Sequence, residues 1–190
     1  MSLFPFRSST LVKYLPIHAP RQNAIKYFLY ANTGLFAYYH LVSGPQQFIM
    51  KRGFEVHNES NMQSVLNYHL VNFSLTSLLF NGAIFYTIGN YHLQKFGGNH
   101  LLRLLGVSAL AGSLVSAYSI NQDSSFQAKG SISLSAGLIA YNVMKNPQWF
   151  KYAIGPAGYL SLFVLYGAFY NDRAALSGVG AGWLLFLMGL

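Results

Sequence analysis

The chain has 190 residues, 53% hydrophobic and 16% aromatic but only 8% charged, with a formal net charge of +8 and a mean hydropathy of +0.31. A soluble domain carries about 25% charged residues, so this composition points to a bilayer as the solvent. With no cysteine there is no disulfide framework and no thiolate metal site. The basic residues lie singly or in pairs at the ends of apolar runs, without the clustered stripe that a nucleic-acid partner requires.

Residues 1–24 form a basic tail with Arg7, Lys13, Arg21 and three prolines, and no acid precedes Glu55. Such an acid-free, Arg- and Ser-containing start reads as an uncleaved mitochondrial targeting segment. Apolar runs then recur over 25–43, 69–89, 101–119, 131–145, 152–170 and 174–190. A span needs about 20 residues, and in lipid such runs satisfy their backbone only as helices. The expected fold class is therefore an all-α integral membrane protein, a single six-helix domain over 25–190. The connection 44–68 mixes Phe48, Ile49, Met50, Phe54 and Val56 with charges, and is expected to lie along the bilayer surface as an interfacial element between helices 1 and 2.

Loop charges orient the bundle. Arg7, Lys13, Arg21, Lys26, Lys95, Arg103, Lys145 and Lys151 fall on one face with no acid. Lys51, Arg52, Lys129 and Arg173 fall on the other, balanced by Glu55, Glu59, Asp123 and Asp172. Both termini are thus expected on the basic side, matrix or cytosol. There Lys95, Arg103, Lys145 and Lys151 would meet phospholipid headgroups.

The second apolar run reads Asn72-Phe-Ser-Leu-Thr-Ser77-Leu-Leu-Phe-Asn81, with Gly89 eight residues on and Gly97 closing the following connection. This resembles the rhomboid pattern His-x-x-x-x-His-x-x-x-Asn and its glycine-bounded turn, with Asn72 and Ser77 at the histidine positions and Leu93 at the turn's acid. Ser133-Leu-Ser135-Ala in the fourth run looks like a degraded Gly-x-Ser-Gly, placing Ser135 at the nucleophile position. Ala175-Leu-Ser-Gly178-Val-Gly-Ala-Gly182 in the sixth is similar to His-Leu-Gly-Gly-x-x-x-Gly, with Ala175 at the catalytic histidine. The resemblance covers roughly residues 65–190. It implies a rhomboid-like six-helix bundle in which Gly89, Gly97, Gly178 and Gly182 serve helix packing.

The resemblance also implies a pseudoenzyme. A serine hydroxyl is a poor nucleophile without a base in hydrogen-bond reach, and Ala175 cannot accept a proton. Ser135, Asn81, Ser77, Asn72 and Ala175 are then vestigial positions, with Ser135 packing as a small interhelical residue. Asn32, Asn72, Asn81 and Asn142 are suited to hydrogen bonds across helices, and Ser131, Ser133 and Ser135 with Asn142 to lining the former catalytic cavity. A rebuilt dyad using one of the six histidines is weighed and set aside. No histidine pair has metal-ligand spacing backed by carboxylates, so neither a metal nor a cofactor is expected. The expected role is an accessory or scaffold subunit, with other membrane protein subunits as partners, in an energy-converting complex of the mitochondrial inner membrane. The alternative is a derlin-like binder of transmembrane clients in trafficking or quality control, which would place it in the endoplasmic reticulum.

Overall fold

The structure, a computed structural model, describes residues 24–56, 62–122, 130–147 and 173–189. The basic tail, Lys151 and the expected fifth span at 152–170 lie outside the described residues. The described residues are mostly helical and contain no strand.

Helix α1 (Ala24–Leu41) occupies the first apolar run and stops before Ser43-Gly44. Pro45, whose fixed φ suits a first helical position, opens α2 (Pro45–Phe54). A short α3 (Met62–Asn67) runs into a 3₁₀ turn, Tyr68–Leu70. The connection between the first two runs is thus largely two short helices. Phe48 and Ile49 are exposed, while Val56, Val65 and Tyr68 bury themselves with Ala174 in a small separate core.

The second apolar run departs from a simple span. Its regular helix begins at α4 (Leu75–Ile84), passes through a π turn at Phe85–Gly89 and continues as α5 (Asn90–Phe96). Gln63–Leu70 meets Leu75–Phe96 at a bend of 72°. Ser74 caps the new helix, its Oγ accepting from the Ser77 backbone N–H at 3.1 Å. Such a cap favours starting the helix there. In the widened π turn, the Thr87 hydroxyl donates to the Ala83 carbonyl at 2.7 Å and helps satisfy it. The expected connection from Gly89 to Gly97 is therefore helical almost throughout. The chain turns only at Gly97, where φ is +85° and a side chain would be strained.

Helix α6 (Gly98–Gln122) follows at once, then α7 (Ile132–Lys145) and α8 (Arg173–Leu187). At 25 residues, with an 18-residue stretch of mean hydropathy 1.5, α6 is long and apolar enough to cross a membrane. The bent pair Gln63–Leu70 and Leu75–Phe96 adds a second if counted as one span. The 14 residues of α7 rise only about 21 Å, and α8 is similarly short. Helix α7 is the inner helix of the bundle, while α8 packs with one face and exposes Leu176, Trp183, Leu184 and Leu187 on the other. Every residue of α7 from Ser133 to Asn142 is buried, whereas α6 turns Leu102, Leu110, Leu114 and Tyr118 outward.

Candidate functional site: the polar core around helix α7

Small residues bring α6, α7 and α8 together. A Cβ on Gly178 would collide with the backbone of Ser133, and one on Gly182 would stand 2.5 Å from the Gly137 carbonyl oxygen. Gly137 itself faces the Ser108 hydroxyl from α6 and lies 3.1 Å, by the same construction, from the Gly178 carbonyl. Backbone-to-backbone approach of this kind is what small residues permit in membrane bundles. Gly89 packs on Ile25, where an added Cβ would come within 2.9 Å of Cδ1. Gly97 does otherwise than expected. Nothing lies within 4 Å of its would-be Cβ, so its service is to the turn and not to packing.

Inside this frame runs a chain of amides. Ser135 Oγ donates to Asn81 Oδ1 at 2.7 Å, and Asn81 Nδ2 donates to Asn72 Oδ1 at 2.8 Å. Asn72 Nδ2 donates onward to Asn32 Oδ1 at 2.8 Å and to Ser131 Oγ at 3.3 Å, and Asn32 Nδ2 ends on the Phe28 carbonyl at 3.1 Å. The relay links α7, α4, the bend and α1, and all its side chains are buried. Gly130 permits it, since a Cβ there would press to 2.9 Å from Asn72 Oδ1. Of the sequence-expected positions, Asn72, Asn81 and Ser135 therefore meet. Ser77 does not join them. It sits in the first turn of α4 beside the cap, its Oγ accepting from Ser74 Oγ at 2.8 Å, because the helix starts later than the apolar run. Ala175 is fully buried in α8, three residues before Gly178 on the same face.

A second cluster lies one helical step away. Ser133 Oγ is 2.9 Å from His69 Nδ1, and His69 Nε2 reaches the Ala109 carbonyl at 2.9 Å and Ser113 Oγ at 3.1 Å. The carbonyl can only accept, so it fixes the proton on Nε2 and leaves Nδ1 to accept from Ser133. Ser113 in turn donates to the Val65 carbonyl at 2.8 Å. The Tyr68 ring stacks 3.8 Å from the imidazole, and a Cβ on Gly112 would fall within 2.8 Å of Tyr68, His69 and Ser133 alike. Both imidazole nitrogens are occupied and both residues are buried, so the cluster ties the Tyr68–Leu70 turn to α6 and α7. The sequence expectation sets aside a dyad rebuilt on Ser135, and the histidine that reaches α7 meets Ser133 instead. The partners lie 64 residues apart in the chain, and only the bend at 71–74 swings His69 onto α7.

The cationic residues spread over the ends of α5, α6 and α7. Lys95 Nζ donates to Asn146 Oδ1 at 2.6 Å and to the Tyr91 hydroxyl at 2.9 Å. Lys145 lies 5.8 Å from the Phe186 ring centre, and Arg103 is exposed on α6. Nearby, Asn142 is bonded to His92, which also meets His100. Asn142 thus belongs to this end of α7 and not to the serine cluster. Beside the amide relay a small cavity, with room for about one water, is lined by Asn32, Asn72, Asn81 and Ser131 with Phe28 and Gly82.

No model of a known protein family matches the chain, and no curated protein sequence matches it.

Proposed function

We propose that the chain is a non-catalytic, rhomboid-like membrane protein with six spans. In this reading it serves as an accessory or scaffold subunit of a complex, most naturally an energy-converting complex of the mitochondrial inner membrane. The observation that carries the reading is the partner of Ser135. Its hydroxyl donates to the Asn81 amide oxygen at 2.7 Å, and an amide oxygen takes no proton at neutral pH. A hydroxyl so paired is held by structure and not activated.

Two further features support the reading. The position that matches the rhomboid base is Ala175, and the helices around it are locked by glycine contacts too tight for a substrate to part cheaply. Arg103, Lys145 and Lys95 gather toward the ends of helices on the side that charge counting assigns to the matrix, where anionic headgroups favour them.

Purification of the native protein in mild detergent, with identification of co-migrating proteins, tests the role. Stoichiometric membrane subunits are expected. A variable set of single-span clients would favour the derlin-like alternative and defeat the subunit reading. Protease protection of tagged termini tests the topology: both termini on one face are expected, and opposite faces overturn six spans.

A further inference from the structure

We propose that His92 and His100 form a two-nitrogen site for a divalent transition-metal ion, Cu²⁺ fitting best, at the junction of α5, α6 and α7. The one-residue turn at Gly97 folds the start of α6 back onto α5 and brings the two imidazoles together. His92 Nε2 and His100 Nδ1 stand 2.9 Å apart. Two nitrogens at that separation, each about 2.0–2.1 Å from a shared ion, subtend about 90° at it. That is the angle between neighbouring ligands of a tetragonal copper site, and imidazole is a donor that copper favours. In the pair as it stands an N–H and a lone pair lie along the line between the two nitrogens, so both rings turn by about 45° to bring two lone pairs onto a shared ion.

The far side of His92 is prepared for this. A ligating imidazole needs its other nitrogen held by a second group. Asn142 presents both its oxygen, at 3.3 Å, and its nitrogen, at 3.0 Å, to His92 Nδ1. It can therefore serve either tautomer, including the one that carries the proton on Nδ1 and frees Nε2. The Asn142 amide is itself pinned, its Nδ2 donating to the Leu138 carbonyl at 2.7 Å. Phe96 and Tyr141 pack their rings against both histidines. His92 is buried, but His100 is partly exposed and gives an ion access from the aqueous side.

Two charges oppose binding. Arg103 lies one turn beyond His100 on α6, and Lys95 follows His92 by three residues, although its ammonium is engaged by Asn146 and Tyr91. Among the described residues no group of three or more His, Cys, Asp or Glu side chains converges. Water completes the coordination, and the site is an open one. His69 offers no rival, since its nitrogens face the Ser133 and Ser113 hydroxyls and the Ala109 carbonyl and not a second imidazole.

Untagged full-length protein in neutral-lipid nanodiscs, titrated with Cu²⁺ and read by electron paramagnetic resonance, tests the proposal. One ion per chain is expected, with hyperfine splitting from two nitrogens. His100→Gln, which can still hydrogen-bond His92, loses that pattern without loss of thermal stability, whereas His40→Gln keeps it. Asn142→Asp, which offers Nδ1–H a full negative charge, binds about tenfold or more tighter, in line with the effect of second-shell partners. A two-nitrogen signal that survives both His100→Gln and His92→Gln overturns the site, as does the absence of saturable binding.

Discussion

Ser133 and Ser135 stand two residues apart on α7, equally buried, and their hydroxyls meet opposite fates. Ser135 donates a hydrogen bond to an amide oxygen at the head of a relay that runs to the Phe28 carbonyl. Ser133 donates a hydrogen bond to an imidazole nitrogen whose ring is fixed by the Ala109 carbonyl. The first arrangement has no base; the second has a base but no space, because Tyr68, Gly112 and Ser113 close around it. Nucleophile activation needs both a proton acceptor and room for a reacting group. The two serines divide those requirements between them, and neither site holds both.

Breaking the helix contact on which both clusters rest has the largest expected effect. Gly178→Leu drives a side chain into the Ser133 backbone, which cannot move without parting α7 from α8. Overpacking typically costs about 1–3 kcal/mol and more where backbone must shift, so a loss above about 3 kcal/mol is expected in detergent unfolding. Unchanged stability would show that this face of α8 does not pack on α7.

The next test separates the clusters. Asn72→Leu strands Asn32 Oδ1, Ser131 and Asn81 Nδ2 at once. Each unsatisfied buried group costs about 1–3 kcal/mol, so a loss of at least about 2 kcal/mol is expected. His69→Leu is expected to cost less, about 1–2 kcal/mol, because Ser113 keeps its bond to the Val65 carbonyl. Equal losses in chemical unfolding would mean that the relay is no more cooperative than the isolated histidine.

What the sequence showed of this core follows from the range of each interaction. Gly178 and Gly182 are one helical turn apart, so a close-packing face was legible from spacing alone. Their counterpart Gly137 on α7 was not, nor was Gly112, which admits Tyr68, His69 and Ser133, because what a glycine meets is decided by tertiary packing. Asn72, Asn81 and Ser135 were singled out through their positions in a resemblance, and the structure brings them together. Ser77 was placed with them by the same resemblance, and the Ser74 cap, which starts α4 beyond Asn72, holds it in the first turn instead. The pairing of His92 with His100 was hidden because residues 89–97 read as a loop, whereas a helix and a single turning glycine hold the rings in contact. The fifth span and the basic tail stay sequence-level expectations, since both lie outside the described residues.

The smallest expected effect is also the sharpest test of the two serines. Ser135→Ala and Ser133→Ala each remove one hydrogen bond and leave one acceptor, Asn81 Oδ1 or His69 Nδ1, without its donor. Side-chain hydrogen bonds between membrane helices average about 0.6 kcal/mol, with a maximum of about 1.7, so each substitution is expected within that range. The Ser135 loss is expected to be the larger, because Asn81 transmits it to Asn72. A cycle combining Ser135→Ala with Asn72→Ala should show coupling, and one combining Ser133→Ala with Asn72→Ala should show none. Chemistry gives a second readout on the same variants. Neither wild-type serine is expected to react with a fluorophosphonate, Ser135 for want of a base and Ser133 for want of room. Labelling lost in Ser135→Ala would overturn the non-catalytic reading, since it would require a base that the Asn81 amide cannot be. Labelling lost in Ser133→Ala but kept in Ser135→Ala would instead show that the His69 cluster opens, and its Ser–His pair would then be the reactive one.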